Sequence, residues 1–124
     1  MATILIVDDE PLIRWSVAET LEAAGHAVAE AGSARDALRT LDGDPAIAVV
    51  VLDLKLPDSN DLDLLRRVLR RDPSPRVILM TAHASAEVLE EAISAGAYGT
   101  LTKPFDMNRL VTLVDEAAGP VPVR

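Results

Sequence analysis

Five side chains that can hold a metal ion or contact a phosphoryl group each follow a short apolar run. They are Asp8, Asp9, Asp53, Thr81 and Lys103. Continuous apolar runs of this length are typical of strands that are buried on both faces of a parallel sheet. Ligands of open parallel sheets bind at the carboxyl ends of the strands. We therefore expect these five side chains to lie together at one edge of a sheet.

The three carboxylates favour a divalent cation at this edge. Two like charges about 4 Å apart repel by roughly 4 kcal/mol at an effective dielectric constant of 20. Such a cluster either raises pKa values or binds a cation. Because the ligands are oxygens and include neither histidine nor cysteine, the pattern favours Mg²⁺.

Transfer of a phosphoryl group onto an aspartate requires carboxylate, hydroxyl and ammonium groups around such a cation. Asp53 is the preferred acceptor, because it stands alone after the most apolar and hence most central strand. The adjacent pair Asp8 and Asp9 is better suited to ligating the metal. Lys103 offers a point charge for an anion, and Thr81 offers a hydroxyl donor.

Strand-like and helix-like segments alternate along the chain and predict five βα units of an α/β fold. Strands are expected near 3–8, 27–31, 47–53, 76–81 and 98–102, and helices near 11–24, 33–41, 61–71, 85–96 and 106–118. The crossovers between parallel strands are expected to be right-handed. One domain is predicted over residues 1–118, followed by a tail or the start of a linker over 119–124.

Composition narrows the class of protein. The 124 residues suit one domain, and the absence of cysteine excludes disulfides and thiolate metal sites and favours a cytoplasmic protein. The longest apolar run, 46–52, is too short for a membrane helix, which needs about 20 residues. The net charge of −8 argues against direct nucleic-acid binding by this domain, because phosphate backbones attract basic surfaces.

Four stretches of the chain resemble the motifs of response-regulator receiver domains and occur in the family's order. They are 7–11, 52–58, 80–83 and 102–106. The residues at 13–15, 80–83 and 103–106 look most like those of the nitrogen-regulation, or NtrC-type, receivers. The implied fold is a doubly wound, flavodoxin-like (βα)5 sheet of five parallel strands in the order 2-1-3-4-5.

The resemblance implies a module of two-component signal transduction. Asp53 would take a phosphoryl group from a sensor histidine kinase or a phosphotransfer protein. Self-phosphorylation and autodephosphorylation would be its only reactions. Transcription would be regulated through a domain or partner outside this chain. In receivers, helix 4, strand 5 and helix 5 also form the surface for homodimers and output contacts, and helix 4 here carries Glu87, Glu90 and Glu91.

The resemblance also implies a role for each residue of the site. The ligands of Mg²⁺ or Mn²⁺ would be Asp8, Asp9, Asp53 and the backbone carbonyl of Lys55. Thr81 and Lys103 would contact the phosphoryl oxygens, and the bond between Lys103 and Pro104 would be cis. Lys55 and His83 occupy rim positions that tune the lifetime of the phosphate in this family.

Two positions depart from the family pattern. Receivers usually carry Tyr or Phe three residues before the conserved lysine, where it moves inward with the Thr hydroxyl, but this chain has Thr100 there. Tyr98 shares its face of the strand and is either a partial substitute or an aromatic residue without that role. Asp61 replaces the usual glycine of the loop after strand 3, and it tolerates a positive φ better than most residues.

Two other functions match parts of the pattern. A Mg²⁺-dependent aspartyl-phosphate phosphatase uses a similar sheet but has an Asp-x-Asp pair after strand 1, whereas Asp8 and Asp9 are adjacent. A nonphosphorylated binding module of receiver fold usually lacks one of the acids or the lysine, and all of them are present here. A dinucleotide site is excluded because the chain has no Gly-rich fingerprint.

Overall fold

A computed structural model describes residues 2–59, 62–82 and 85–119 of the chain. Strands and helices alternate as predicted. In chain order they are β1 (Thr3–Val7), α1 (Pro11–Ala23), β2 (Ala27–Ala31), α2 (Ala34–Gly43), β3 (Ile47–Asp53), α3 (Asp63–Leu69), β4 (Arg76–Thr81), α4 (Ala86–Ala95), β5 (Gly99–Thr102) and α5 (Met107–Ala118).

The strands form one parallel sheet in the order β2-β1-β3-β4-β5, which confirms the expected topology. β3 is the central strand, so the prediction that Asp53 ends the most central strand is also confirmed. The winding direction reverses between β1 and β3. In doubly wound sheets the ligand crevice opens at such a reversal, beyond the carboxyl ends of the strands.

Alternating side chains of each strand pack against helices on opposite faces of the sheet. Ile4 and Ile6 belong to the core formed with α1 and α5, whereas Leu5 and Val7 belong to the core formed with α2, α3 and α4. All four are fully buried. Each such side chain contributes about 1.5–3 kcal/mol by leaving water. The strand ends are therefore held from both sides.

Local sequence signals account for most helix ends. Ser85 accepts a hydrogen bond from the N–H of Val88 at the start of α4, and Asp106 accepts one from the N–H of Asn108 at the start of α5. Gly96 ends α4 with a φ of 116°, in the left-handed region where glycine carries no steric penalty.

Some predicted element ends are wrong by a few residues. The helix predicted over 61–71 ends already at Leu69, since the chain turns at Arg70 toward Pro73, which cannot continue a helical hydrogen-bond ladder. β1 ends at Val7 rather than at Asp8, and β5 begins at Gly99 rather than at Tyr98.

The predictions for Asp61, for His83 and for most of the tail concern positions 60–61, 83–84 and 120–124, which lie outside the described residues. The domain boundary after residue 118 therefore stays a prediction. Among the helices of the described residues, none is both long and apolar enough to span a membrane.

Candidate functional site

The predicted site residues converge at the carboxyl edge of the sheet. One pocket of about 240 Å³ is lined by Asp9, Glu10, Asp53, Lys55, Thr81, Ala82 and Lys103. Asp8 is fully buried and reaches the same group through its contact with Lys103. Four separate strand ends thus supply one site, as the pattern of apolar runs predicts.

Lys103 holds the two buried carboxylates together. Its Nζ donates to Asp8 Oδ2 at 2.9 Å and to Asp53 Oδ2 at 3.4 Å. Burial lowers the pKa of Lys103, but the hydrogen bond to Asp8 and the charge of Asp53 outweigh that effect and leave its pKa above the usual value. Lys103 therefore stays charged and offsets part of the repulsion between the carboxylates, a repulsion that, from the sequence alone, a cation is expected to offset.

Asp53 is a poorly hydrated carboxylate, with only 6% of the residue exposed. Desolvation by burial raises its pKa, while the N–H of Lys55, 3.1 Å from Oδ1, and the charge of Lys103 oppose the shift. A carboxylate that has lost part of its hydration interacts more strongly with a nearby positive charge. A cation in the pocket would therefore stabilise the ionised form of Asp53.

The carboxylates fit a small divalent cation. One oxygen each of Asp8, Asp9 and Asp53 lies within 4.8 Å of the other two. Opposite ligands of an octahedral Mg²⁺ lie about 4 Å apart, because each metal–oxygen distance is about 2.0–2.1 Å. Oxygen-only donors with one exposed member, Asp9, suit an ion that retains several of its waters. Lys55, the further predicted ligand, lines the same pocket.

Contacts of Asp8 involve residues that sequence reasoning did not assign to the site. Arg14 Nη1 donates to the backbone carbonyl of Asp8 at 2.7 Å, and Arg14 Nε donates to Glu30 at 3.1 Å. The N–H of Asp8 donates to the carbonyl of Ala31 at 3.1 Å, and its Oδ1 accepts from the N–H of Glu10 at 2.9 Å. These contacts depend on which strands are neighbours, so periodicity alone gives no signal for them.

Thr81 lies beside Asp53 at the end of the neighbouring strand. The strand register pairs Asp53 with Met80, the residue before Thr81. Thr81 is buried, and its backbone carbonyl accepts a hydrogen bond from the N–H of Lys103 at 2.7 Å. The bond between Lys103 and Pro104 is cis, as the resemblance implies.

The two candidate switch residues lie at or just before the start of β5, away from the pocket. Thr100 is paired with Leu79 of β4 and is partly buried. Tyr98 precedes the strand and is 37% exposed, and its ring centroid lies 5.4 Å from the guanidinium carbon of Arg76. About 16 Å of extended chain separates Tyr98 from Lys103. The switch roles of both residues remain predictions.

Known proteins resemble the chain over most of its length. The profile of the response regulator receiver domain matches residues 4–115. The chain is 37% identical over 109 residues to the C4-dicarboxylate transport transcriptional regulatory protein DctD of Rhizobium meliloti. This match covers 88% of this chain and 24% of that protein. It is 38% identical over 115 residues to the DNA-binding transcriptional regulator NtrC of Klebsiella pneumoniae, a match that covers 90% of this chain and 24% of that protein.

A solved structure supports the same likeness. A response regulator receiver domain protein from Clostridium thermocellum matches with a TM-score of 0.89 and 31% sequence identity, over 95% of this chain and 94% of that chain. The chain spans about a quarter of the length of the curated relatives it matches.

Proposed function

This chain belongs to the family of response regulator receiver domains, and we propose that it accepts a phosphoryl group on Asp53. Receiver domains are signalling modules of two-component systems and are generally not enzymes. They bind Mg²⁺ at an acidic pocket and interact with histidine kinases or phosphotransfer proteins. The relatives NtrC and DctD are transcriptional regulators, and the chain is an NtrC-type receiver.

One observation carries the proposal. The buried Asp53 carboxylate lies 3.4 Å from a lysine ammonium in a pocket that Thr81 and Asp9 also line. Such a pocket presents a nucleophile, a fixed positive charge and a hydroxyl donor to one small anion.

The proposed reaction transfers the phosphoryl group from a phosphohistidine of the partner. A carboxylate oxygen of Asp53 attacks phosphorus, the new O–P bond forms as the N–P bond breaks, and the electron pair stays on the imidazole nitrogen. Lys103 and Thr81 donate hydrogen bonds to the phosphoryl oxygens. Mg²⁺ held by Asp8, Asp9, Asp53 and the carbonyl of Lys55, or Mn²⁺ in its place, would neutralise charge on the phosphoryl group. In autodephosphorylation, water attacks the phosphorus of the resulting acyl phosphate, the bond between phosphorus and the Asp53 oxygen breaks, and inorganic phosphate leaves as the carboxylate is restored.

The phosphatase alternative lacks a suitable nucleophile. In that mechanism the first aspartate after β1 attacks the substrate, and here this residue is Asp8. Asp8 is fully buried, and its Oδ2 and Oδ1 are engaged by Lys103 and by the N–H of Glu10. Asp53 makes contacts of the same kind, but Asp53 lines the pocket and Asp8 does not, so Asp8 is the less accessible of the two to a substrate.

We propose that the phosphorylated state is read at the surface of α4, β5 and α5, through a homodimer or another partner. Residues 1–118 would form the receiver, with 119–124 as a tail or the start of a linker. Transcription would be regulated through a domain or partner outside these residues, and this domain would not bind nucleic acid itself. The exchange with the kinase would take place in the cytoplasm.

Incubation with acetyl phosphate and Mg²⁺, followed by intact mass measurement, tests the proposal. The wild type should gain one phosphoryl group, whereas the Asp53→Asn variant and a sample with excess chelator should gain none. A wild type that stays unmodified would point to a nonphosphorylated binding module. Multiple turnovers of a phosphate ester would instead favour the phosphatase.

A further inference from the structure

Asp58 lies in the loop after β3 but contacts the first turn of α2. Its Oδ1 accepts a hydrogen bond from the N–H of Ala34 at 2.8 Å, and its Oδ2 accepts one from the N–H of Arg35 at 3.0 Å. Ser33, which directly precedes the helix, accepts a hydrogen bond at its Oγ from the N–H of Asp36 at 3.1 Å. The helix therefore has an ordinary local cap, and Asp58 adds a second one from a distant part of the chain.

The loop that carries Asp58 begins at the phosphoacceptor. Lys55 donates its N–H to Asp53, and Leu56 is only 7% exposed and belongs to the core with α2, α3 and α4. Leu56 and Ser59 exchange backbone hydrogen bonds of 2.8 and 3.3 Å around the turn. The loop is thus anchored at its base by Asp53, in its middle by Leu56 and at its tip by Asp58.

The segment that leads into α2 contacts the other half of the metal site. The carbonyl of Ala31 accepts the N–H of Asp8 at 3.1 Å. Arg14 donates to the carbonyl of Asp8, and a Cβ at Gly32 would lie only 3.1 Å from the same guanidinium nitrogen. Asp58 therefore closes a ring of contacts that runs from Asp8 through the start of α2 to the loop of Asp53.

The contact of Asp58 depends on charge rather than on burial, because the side chain is exposed. The N–H of Ala34 and then that of Arg35 lower the pKa of Asp58. A carboxylate at a helix N-terminus is also stabilised by the helix dipole. Asp58 is therefore ionised at neutral pH and makes charge-assisted hydrogen bonds.

We propose that Asp58 is a positioning residue for the metal site, which holds the loop of Asp53 and Lys55 at a fixed place relative to Asp8. This inference rests on the proposed function, because it takes Asp8, Asp53 and Lys55 as ligands of Mg²⁺. By thermodynamic reciprocity, Mg²⁺ binding should also stabilise the contact between Asp58 and α2.

A pair of matched variants tests the inference. Asp58→Ala and Ser33→Ala each remove side-chain oxygens that cap α2, but only the first also frees the loop. Titration with MgCl₂, followed by amide chemical shifts, should show about tenfold weaker binding by Asp58→Ala, which is the size of effect expected for a residue supporting metal ligands. Ser33→Ala should keep the wild-type affinity. Asp58→Asn retains one acceptor oxygen and should fall between Asp58→Ala and the wild type.

Hydrogen exchange supplies a second readout. In the wild type and in Ser33→Ala, Mg²⁺ should slow exchange of the Ala34 and Arg35 amides, whereas in Asp58→Ala it should not. Urea unfolding identifies a variant that fails to fold, in which case Asp58→Asn carries the comparison.

Unchanged Mg²⁺ affinity in Asp58→Ala and Asp58→Asn would overturn the inference and leave the proposed function intact. Equal losses of affinity in Asp58→Ala and Ser33→Ala would also overturn it, because capping of α2 alone would then explain both. Absence of Mg²⁺ binding by the wild type would overturn the metal site and the inference together.

Discussion

The pocket at the carboxyl ends of the strands and the segment 98–100 at the start of β5 differ in how tightly their polar residues are held. In the pocket, the buried carboxylates Asp8 and Asp53 are bound by Lys103 and by backbone N–H groups. Among the described residues, β5 pairs only with β4. Of the two candidate switch residues, Thr100 lies in β5 and is partly buried, whereas Tyr98 precedes the strand and is exposed.

From this contrast we expect that accepting a phosphoryl group and transmitting its presence depend on separate residues. Buried charges need specific partners, so removing the ammonium of Lys103 leaves the carboxylates of Asp8 and Asp53 uncompensated. Thr100 introduces no buried charge, so the sheet tolerates it where the family usually has an aromatic residue. The variants below test this separation, beginning with the largest expected effect.

Lys103→Met should disable the pocket. We expect phosphorylation by acetyl phosphate to slow by at least about 100-fold, the usual effect of losing a donor to developing negative charge. Without Mg²⁺ the variant should lose about 3–5 kcal/mol of unfolding free energy, because two buried carboxylates lose their partner. Its Mg²⁺ affinity should rise, since a competing positive charge is gone. Mass measurement, urea unfolding and MgCl₂ titration check these three effects.

Lys55→Met is the matched control for Lys103→Met, because these are the only two lysines of the chain and both line the pocket. The Lys55 side chain is exposed, so the control should keep its stability. A normal phosphorylation rate in Lys103→Met would contradict the role assigned to that ammonium.

Asp53→Asn should stabilise the protein at neutral pH in the absence of Mg²⁺. Burial raises the pKa of Asp53 above its ordinary value of 3.8, so folding favours the protonated form and the ionised carboxylate costs stability above the folded pKa. That cost disappears as the pH falls through the folded pKa to below 3.8. Urea unfolding across this range should show the variant's advantage shrinking with pH. A variant less stable than the wild type at neutral pH would contradict this.

Thr100→Tyr should change the output surface without changing phosphorylation. The substitution restores the usual aromatic residue in β5 and leaves the charges of the pocket in place. Hydrogen exchange of α4, β5 and α5 with and without acetyl phosphate should show a larger response than in the wild type. A large change in the phosphorylation rate would show that strand and pocket are not separate.

Tyr98→Leu should have the smallest effect. It removes the contact with Arg76, worth about 0.5–1 kcal/mol at an exposed site. The phosphorylation rate should stay unchanged, and Arg76→Gln, which removes the other partner, should cost a similar unfolding free energy. Loss of the exchange response of α4, β5 and α5 in Tyr98→Leu alone would assign the relay to Tyr98.

Much of the site could be predicted because it depends on local patterns. Continuous apolar runs identify buried parallel strands, and the carboxyl ends of such strands lie at one edge of the sheet. The proximity of Asp53, Thr81 and Lys103 could therefore be predicted from the sequence. The strand order and the cis bond before Pro104 came from the resemblance and are confirmed.

Other contacts depend on tertiary geometry and have no local signature. Arg14 binds the carbonyl of Asp8 because α1 starts beside the ends of β1 and β2. Asp58 caps α2 because the loop after β3 reaches that helix. From the sequence alone, a cation is expected to neutralise the clustered carboxylates, whereas Lys103 already neutralises part of their charge.

The site of phosphorylation tests the central claim most directly. After incubation with acetyl phosphate and Mg²⁺, borohydride reduction would convert a phosphorylated aspartate into homoserine, which peptide sequencing by mass spectrometry locates. The expected result is homoserine at Asp53 alone, in both the wild type and Thr100→Tyr. Modification at Asp8 or Asp9, or none at all, would contradict the assignment of Asp53 as the acceptor.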